Sequence, residues 1–178
     1  MPCGLLLAMN LKTPQVLAAD TNVGMDLAQG NDWVLDAIST IRRRLPDCSL
    51  LVPPTVSEEL AWLAAHGEED LEREAAREFL RKHRTWGFQL LHTVPLGDTY
   101  VGKIAERLLQ TALLPPSEVN DAQILAESAA IGCSVLLTSD EHLRVIDFQR
   151  LSFELAPFEV GAPVIATPRE IVRKFFRS

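Results

Sequence analysis

Cysteine is scarce in this chain of 178 residues: Cys3, Cys48 and Cys133 stand far apart, with no C-x-x-C or Cys/His spacing among them. That excludes a disulfide framework and a zinc site of familiar spacing, and makes a reducing cytoplasm the simplest setting. No apolar run reaches the roughly 18 residues needed to cross a bilayer. The start, Met1 to Asn10, has a short greasy stretch without a basic flank. Residues 1 to 14 are read as a tail or an extra edge segment, and residues 15 to 178 as one domain. Positive charge is also short. The 17 Lys and Arg against 24 Asp and Glu leave a net charge of −7, which argues against coating nucleic acid by bulk attraction. A nuclease stays open, because bound metal cancels negative charge and a local basic strip can still hold phosphates.

What is present fits an ordinary globular protein: 47% hydrophobic and 23% charged residues, in a chain long enough for a sheet between two helical layers. Val16 to Ala19, Leu50 to Val52, Phe88 to Val94, Val135 to Ser139 and Pro163 to Ala166 read as short strands. Helical patterns separate them, so the strands are expected to lie buried in a mostly parallel sheet. Val34, Ile38, Ile41 and Leu45 form one helical stripe, stopped by Pro46. Thr55 or Ser57 is a candidate cap for the next helix, and Leu71, Ala75 and Phe79 mark another. Val101, Ile104, Ala105, Leu108, Leu109 and Ala112 give the cleanest stripe. The apolar helix carrying Asp121 ends at Gly132. Thr167-Pro168-Arg169-Glu170 is a capping box that opens a last helix. The expected architecture is a three-layer α/β/α sandwich with four or five strands.

In such sheets ligands bind beyond the carboxyl ends of the strands. Four acids are placed to reach that edge: Asp20 after the first strand, Glu59 after the second, Asp121 at a helix start and Asp140 after a later strand. Each also has an ordinary explanation. Asp20 and Asp140 suit N-caps, Glu59 and Asp121 suit the positive end of a helix dipole, Glu58 rivals Glu59, and Asn120 or Ser117 rivals Asp121 as cap. Together they would repel one another unless a cation were shared, and hard oxygen ligands favour Mg²⁺ or Mn²⁺. The basic runs Arg42-Arg43-Arg44 and Arg81-Lys82-His83-Arg84 read either as an RNA path or as solvated helix faces, and no aromatic residue is interleaved with them to stack bases. The four histidines lack ligand spacing.

Asp20-Thr21-Asn22, Ser57-Glu58-Glu59-Leu60, Asn120-Asp121-Ala122-Gln123-Ile124-Leu125-Ala126, Leu137-Thr138-Ser139-Asp140 and the ending Ala166-Thr167-Pro168-Arg169-Glu170 together resemble the PIN-domain family of metal-dependent ribonucleases, over about residues 15 to 175. The resemblance implies that Asp20, Glu59, Asp121 and Asp140 hold one or two Mg²⁺ or Mn²⁺ ions, with Thr21, Asn22 and Thr138 or Ser139 supporting them. It implies hydrolysis of single-stranded RNA and a homodimer. It also implies a toxin's role opposite an antitoxin-type inhibitor protein. The charged run from Gly67 to Trp86 is longer than in compact members. Two other functions compete: a binding module of the same fold without turnover, and an α/β phosphatase, against which Asn22 stands where a second acid is required.

Overall fold

The computed structural model describes residues 14–176, so the expectation for residues 1 to 14 lies, Pro14 apart, outside the described residues. Along the chain come β1 (Val16–Ala19), α1 (Thr21–Ala28), α2 (Asp32–Arg44), β2 (Ser49–Val52), α3 (Pro54–His66), α4 (Asp70–Lys82) and β3 (Phe88–Leu90). The second half continues with α5 (Asp98–Gln110), α6 (Val119–Ile131), β4 (Val135–Leu137), α7 (Glu141–Arg144), α8 (Phe148–Leu155), β5 (Val164–Ala166) and α9 (Pro168–Phe176). No helix among the described residues is long and apolar enough to cross a membrane.

All strand pairs are parallel, in the order β3-β2-β1-β4-β5. Successive strand residues point to opposite faces, yet Leu17, Ala18 and Ala19 of β1 and Val135, Leu136 and Leu137 of β4 are all buried. Both faces of the central strands are therefore covered, as a three-layer α/β/α sandwich requires. From β1 the chain builds outward on one side through β2 and β3, then crosses to β4 and β5 on the other. That reversal makes the gap between the carboxyl ends of β1 and β4 a topological switch point.

Several local expectations change. The strand foreseen over Phe88 to Val94 ends at Leu90, and the one over Val135 to Ser139 ends at Leu137, where residues turn toward the switch point. Neither Thr55 nor Ser57 caps α3: it starts at Pro54 behind Pro53, with no side-chain cap of its own, because proline at the first position fixes the helical φ without needing an N–H partner. Leu71 is 71% exposed and outside the core, whereas Ala75 and Phe79 of the same stripe are buried. Two helices lie outside the sequence expectations, α1 and α8, each of eight residues. The helix ends read from sequence are present. Gly132 closes α6 at φ 81°, and Thr167 and Glu170 exchange backbone bonds of 3.1 and 2.8 Å across the capping box.

Candidate active site

Asp20 follows β1 directly, and its backbone N–H still reaches across to the Leu137 carbonyl of β4 at 2.9 Å. This continuation of the ladder fixes the Asp20 side chain at the switch point, 4% exposed. Its Oδ1 accepts from the Thr21 N–H at 2.6 Å, capping α1, and its Oδ2 accepts from the Thr138 hydroxyl at 2.7 Å. Thr138 Oγ1 in turn accepts from the Asp140 N–H at 2.9 Å. Asp140 caps α7, accepting from the N–H groups of His142 and Leu143 at 2.7 and 3.3 Å. Asn22 Oδ1 accepts from the Ser139 N–H at 3.2 Å, so Ser139 contributes through its backbone and Thr138 through its hydroxyl.

Glu59 enters from α3. It is the sixth residue of that helix, beyond the first turn, so the dipole explanation for an acid here does not apply. Its Oε2 accepts from the Thr21 hydroxyl, and its Oε1 accepts from the Asn120 side chain at 2.6 Å. Its rival Glu58 is exposed to solvent. Asp121 sits in the first turn of α6. Neither Asn120 nor Ser117 caps that helix: Asn120 turns to Glu59, and Ser117 donates to Glu118 at 3.0 Å. Asp121 Oδ2 is buried and has no hydrogen-bond partner.

The structure thus brings all four acids to one open cleft of about 490 Å³. Three further carboxylates line it, Asp26, Glu69 and Glu72, and no Lys, Arg or His is among its lining residues. Met25, Leu63 and Leu71 supply its apolar side. Glu69, Leu71 and Glu72 belong to the charged Gly67–Trp86 segment, so that segment, folded as α4 and packed on α3 and α1, forms the outer wall. Burial pushes the Asp20 carboxyl up to about 6 despite its two donors, with Glu59 and Asp140 adding repulsion. Burial and repulsion from Asp140, Asp20, Glu118 and Glu59 push Asp121 up to about 7.

In kind, these donors fit a hard divalent cation. They are all oxygen, mutually repelling, and one buried oxygen lacks any partner. As they stand, no group of three acids, His or Cys among the described residues is arranged to hold an ion by itself. Mg²⁺ does not demand such a cage, since it keeps several waters and takes one or two carboxylates.

The two basic runs are not brought to the cleft. A helix that follows a strand in a parallel sheet returns to the opposite edge. Arg42 to Arg44 therefore end α2 just ahead of β2, and Arg81 and Lys82 end α4 just ahead of β3. Arg42 Nη1 donates to the Thr85 carbonyl at 3.4 Å, tying the runs together at that amino edge, while Arg81 and Lys82 both pair with Glu78 and Arg84 is exposed.

No protein-family model matches this sequence, and no curated protein matches it either. Among solved structures the chain is similar to one in the crystal structure of VapBC2 from Rickettsia felis bound to a DNA fragment from their promoter, with a TM-score of 0.60 and 14% identity. The match covers 86% of this chain and 98% of that one. The two share a fold. Beyond the fold, the match carries no residue assignment.

Site residues beyond the sequence candidates are Asp26, Glu69 and Glu72 of the cleft wall, and Asn120. In the sequence Asn120 reads as a cap, although its place directly before Asp121 puts its amide on the same helix end. Glu118 takes the N-cap position, so Asn120, two residues later and inside the first turn, has its amide free to reach another helix.

Proposed function

We propose that this protein is a Mg²⁺- or Mn²⁺-dependent endoribonuclease acting on single-stranded RNA. The observation that carries the proposal is the meeting of Asp20, Glu59, Asp121 and Asp140, from four separate segments, at the switch point, with Asp121 Oδ2 buried and unpartnered. A cleft lined by seven carboxylates and no cation repels phosphate, so only bound metal makes it fit for RNA. A divalent ion there supplies Lewis acidity to a phosphoryl oxygen and lowers the pKa of water. Asp20, Glu59, Asp121 and Asp140 are the ligands of this reading, some bound directly and the others through the waters that such an ion keeps. Thr138 and Thr21 aim the Asp20 carboxylate, Asn120 aims Glu59, and Asn22 holds the Ser139 turn. The resemblance to PIN-domain ribonucleases and the fold shared with a VapBC2 chain support the same class.

The acidic, partly apolar cleft also suits a cationic segment of a partner protein, which is the inhibitor of the toxin–antitoxin reading; a homodimer and a cytoplasmic setting belong to the same reading. Incubation of the purified protein with labelled single-stranded RNA, with Mn²⁺ and with EDTA, tests it. Cleavage that needs the metal and disappears in Asp20→Asn is the expected result. Binding of RNA without cleavage at saturating Mn²⁺ would instead make the protein a silent binding module.

A further inference from the structure

Helix α3 carries Glu59 but has no cap of its own. The missing partner comes from α6: Glu127, 4% exposed, accepts from the Thr55 N–H at 3.0 Å through Oε2 and from the Thr55 hydroxyl at 2.7 Å through Oε1. Gln123, one turn earlier on α6, donates to the same Oε1 at 3.3 Å. Carboxylates are favoured at helix N-termini, where first-turn N–H groups lack partners. A Ser or Asp just before α3 would have met that need locally. Supplied from α6 instead, the cap is complete only when α3 is docked on α6 in one register.

The same two helices meet a second time. Glu59 lies four residues after Thr55, on the same face of α3, and accepts from Asn120, which lies seven residues before Glu127 on α6. The two contacts run in opposite order along the helices, so together they fix both the sliding and the rotation of α3 against α6. The Asn120 contact alone would leave α3 free to pivot. We propose that Glu127, which does not line the cleft, is a positioning residue that holds Glu59 against Asn120 and opposite Asp121. The catalytic weight of this clamp rests on the ribonuclease reading above; its geometric part does not.

A double-mutant cycle separates positioning from plain structural support. Glu127→Ala should lower the Mn²⁺-dependent kcat on labelled single-stranded RNA by about 10- to 100-fold, the usual loss for a group that orients a metal ligand, with KM within about twofold. In a Glu59→Gln background the same change should cost less than about twofold, because Glu127 acts through Glu59. Glu127→Gln, whose carbonyl can still accept from Thr55, should recover part of the loss. Equal losses in both backgrounds, or full activity in folded Glu127→Ala, would overturn the proposal. A second readout needs no activity: in ¹⁵N–¹H spectra the Asn120 side-chain amide should move in Glu127→Ala toward its position in Glu59→Ala. If that resonance stays where wild type has it, the clamp does not exist. If it moves while the wild-type protein cleaves no RNA, the ribonuclease reading fails and the clamp stands. Thr55→Val serves if Glu127→Ala does not fold, with a smaller shift in the same direction.

Discussion

At the amino edge of the sheet, the last turns of α2, α4 and α9 carry Arg42 to Arg44, Arg81 and Lys82, and Arg173 and Lys174. Cations at helix C-termini gain about 0.3–1 kcal/mol each from the dipole, and those of α4 also pair with Glu78. Helix physics is enough to explain cations at those positions. At the carboxyl edge, Asp20 and Asp140 serve as caps, but capping does not explain why Glu59 and Asp121 join them, or why Asp121 Oδ2 is buried unpartnered. A buried acceptor without a donor costs on the order of 1–3 kcal/mol. The contrast teaches that charge density does not mark a site. The larger basic runs are the stable, unremarkable ones, and the site is where local rules leave a remainder.

The strongest way to break this contrast is at the acids themselves. Groups that merely orient a ligand are worth about 10- to 100-fold, so Asp20→Asn and Asp121→Asn should each cost more than about 100-fold in Mn²⁺-dependent RNA cleavage while keeping a wild-type circular dichroism spectrum. Either variant with wild-type turnover at saturating Mn²⁺ removes that residue from the site.

Next come the groups behind the acids. Thr138→Val and Asn120→Ala should each lower kcat by about 10- to 100-fold. Thr138→Val should also lose roughly 1–3 kcal/mol of stability in urea unfolding, because it leaves the Asp140 N–H and a buried Asp20 oxygen without partners. A Thr138→Val protein as stable and active as wild type would show that the Asp20 carboxylate is aimed by something else.

A third test reads the cost of the cleft without RNA. Asp20 and Asp121 have folded-state pKa values of about 6 and about 7, above an ordinary value of about 3.9. For acids raised in this way the folded state binds protons more tightly. Their contribution is intact below about pH 4, declines as pH rises and is lost above about pH 7. In EDTA the melting temperature should therefore be lower at pH 7.5 than at pH 5.5, and Asp121→Asn should raise it at pH 7.5. Mn²⁺ at about 100 times its dissociation constant should restore roughly 2.7 kcal/mol to wild type and little to Asp121→Asn. A wild-type melt indifferent to metal at pH 7.5 would sink the shared-cation reading.

The smallest effect is expected at the other edge. Replacing Arg42, Arg43 and Arg44, or Arg81, Lys82 and Arg84, by Gln should leave cleavage within about twofold. The salt dependence of RNA binding in the cleft should not change, whereas each lost phosphate contact would lower its slope by about 0.7. A slope that falls would return these residues to the RNA path.

The sheet and its parallel sense were legible because buried strands leave continuous apolar runs, and Asp20 and Asp140 because they follow such runs closely, whereas Glu59 and Asp121 sit in the helices that come after. What could not be read was anything set by another segment. Thr55 looks like a local cap because only the fold brings Glu127 to it. Asn120 looks like a cap because Glu59 lies 61 residues away. Leu71 fits its helix stripe, yet α4 turns that end toward the cleft instead of the core. The arginines had the composition of a phosphate path, and the return direction of α2 and α4 sent them to the far edge.

Thr138 has one hydroxyl hydrogen. It is committed to Asp20, while the oxygen that carries it receives the N–H of Asp140. The hydroxyl cannot turn without surrendering a bond, so the three groups form a one-way relay from the peptide of one strand's end to the carboxylate of its neighbour. Polarisation passes along such a chain. The backbone amide of Asp140 is therefore a built-in reporter: its nitrogen chemical shift should follow the ionisation of Asp20.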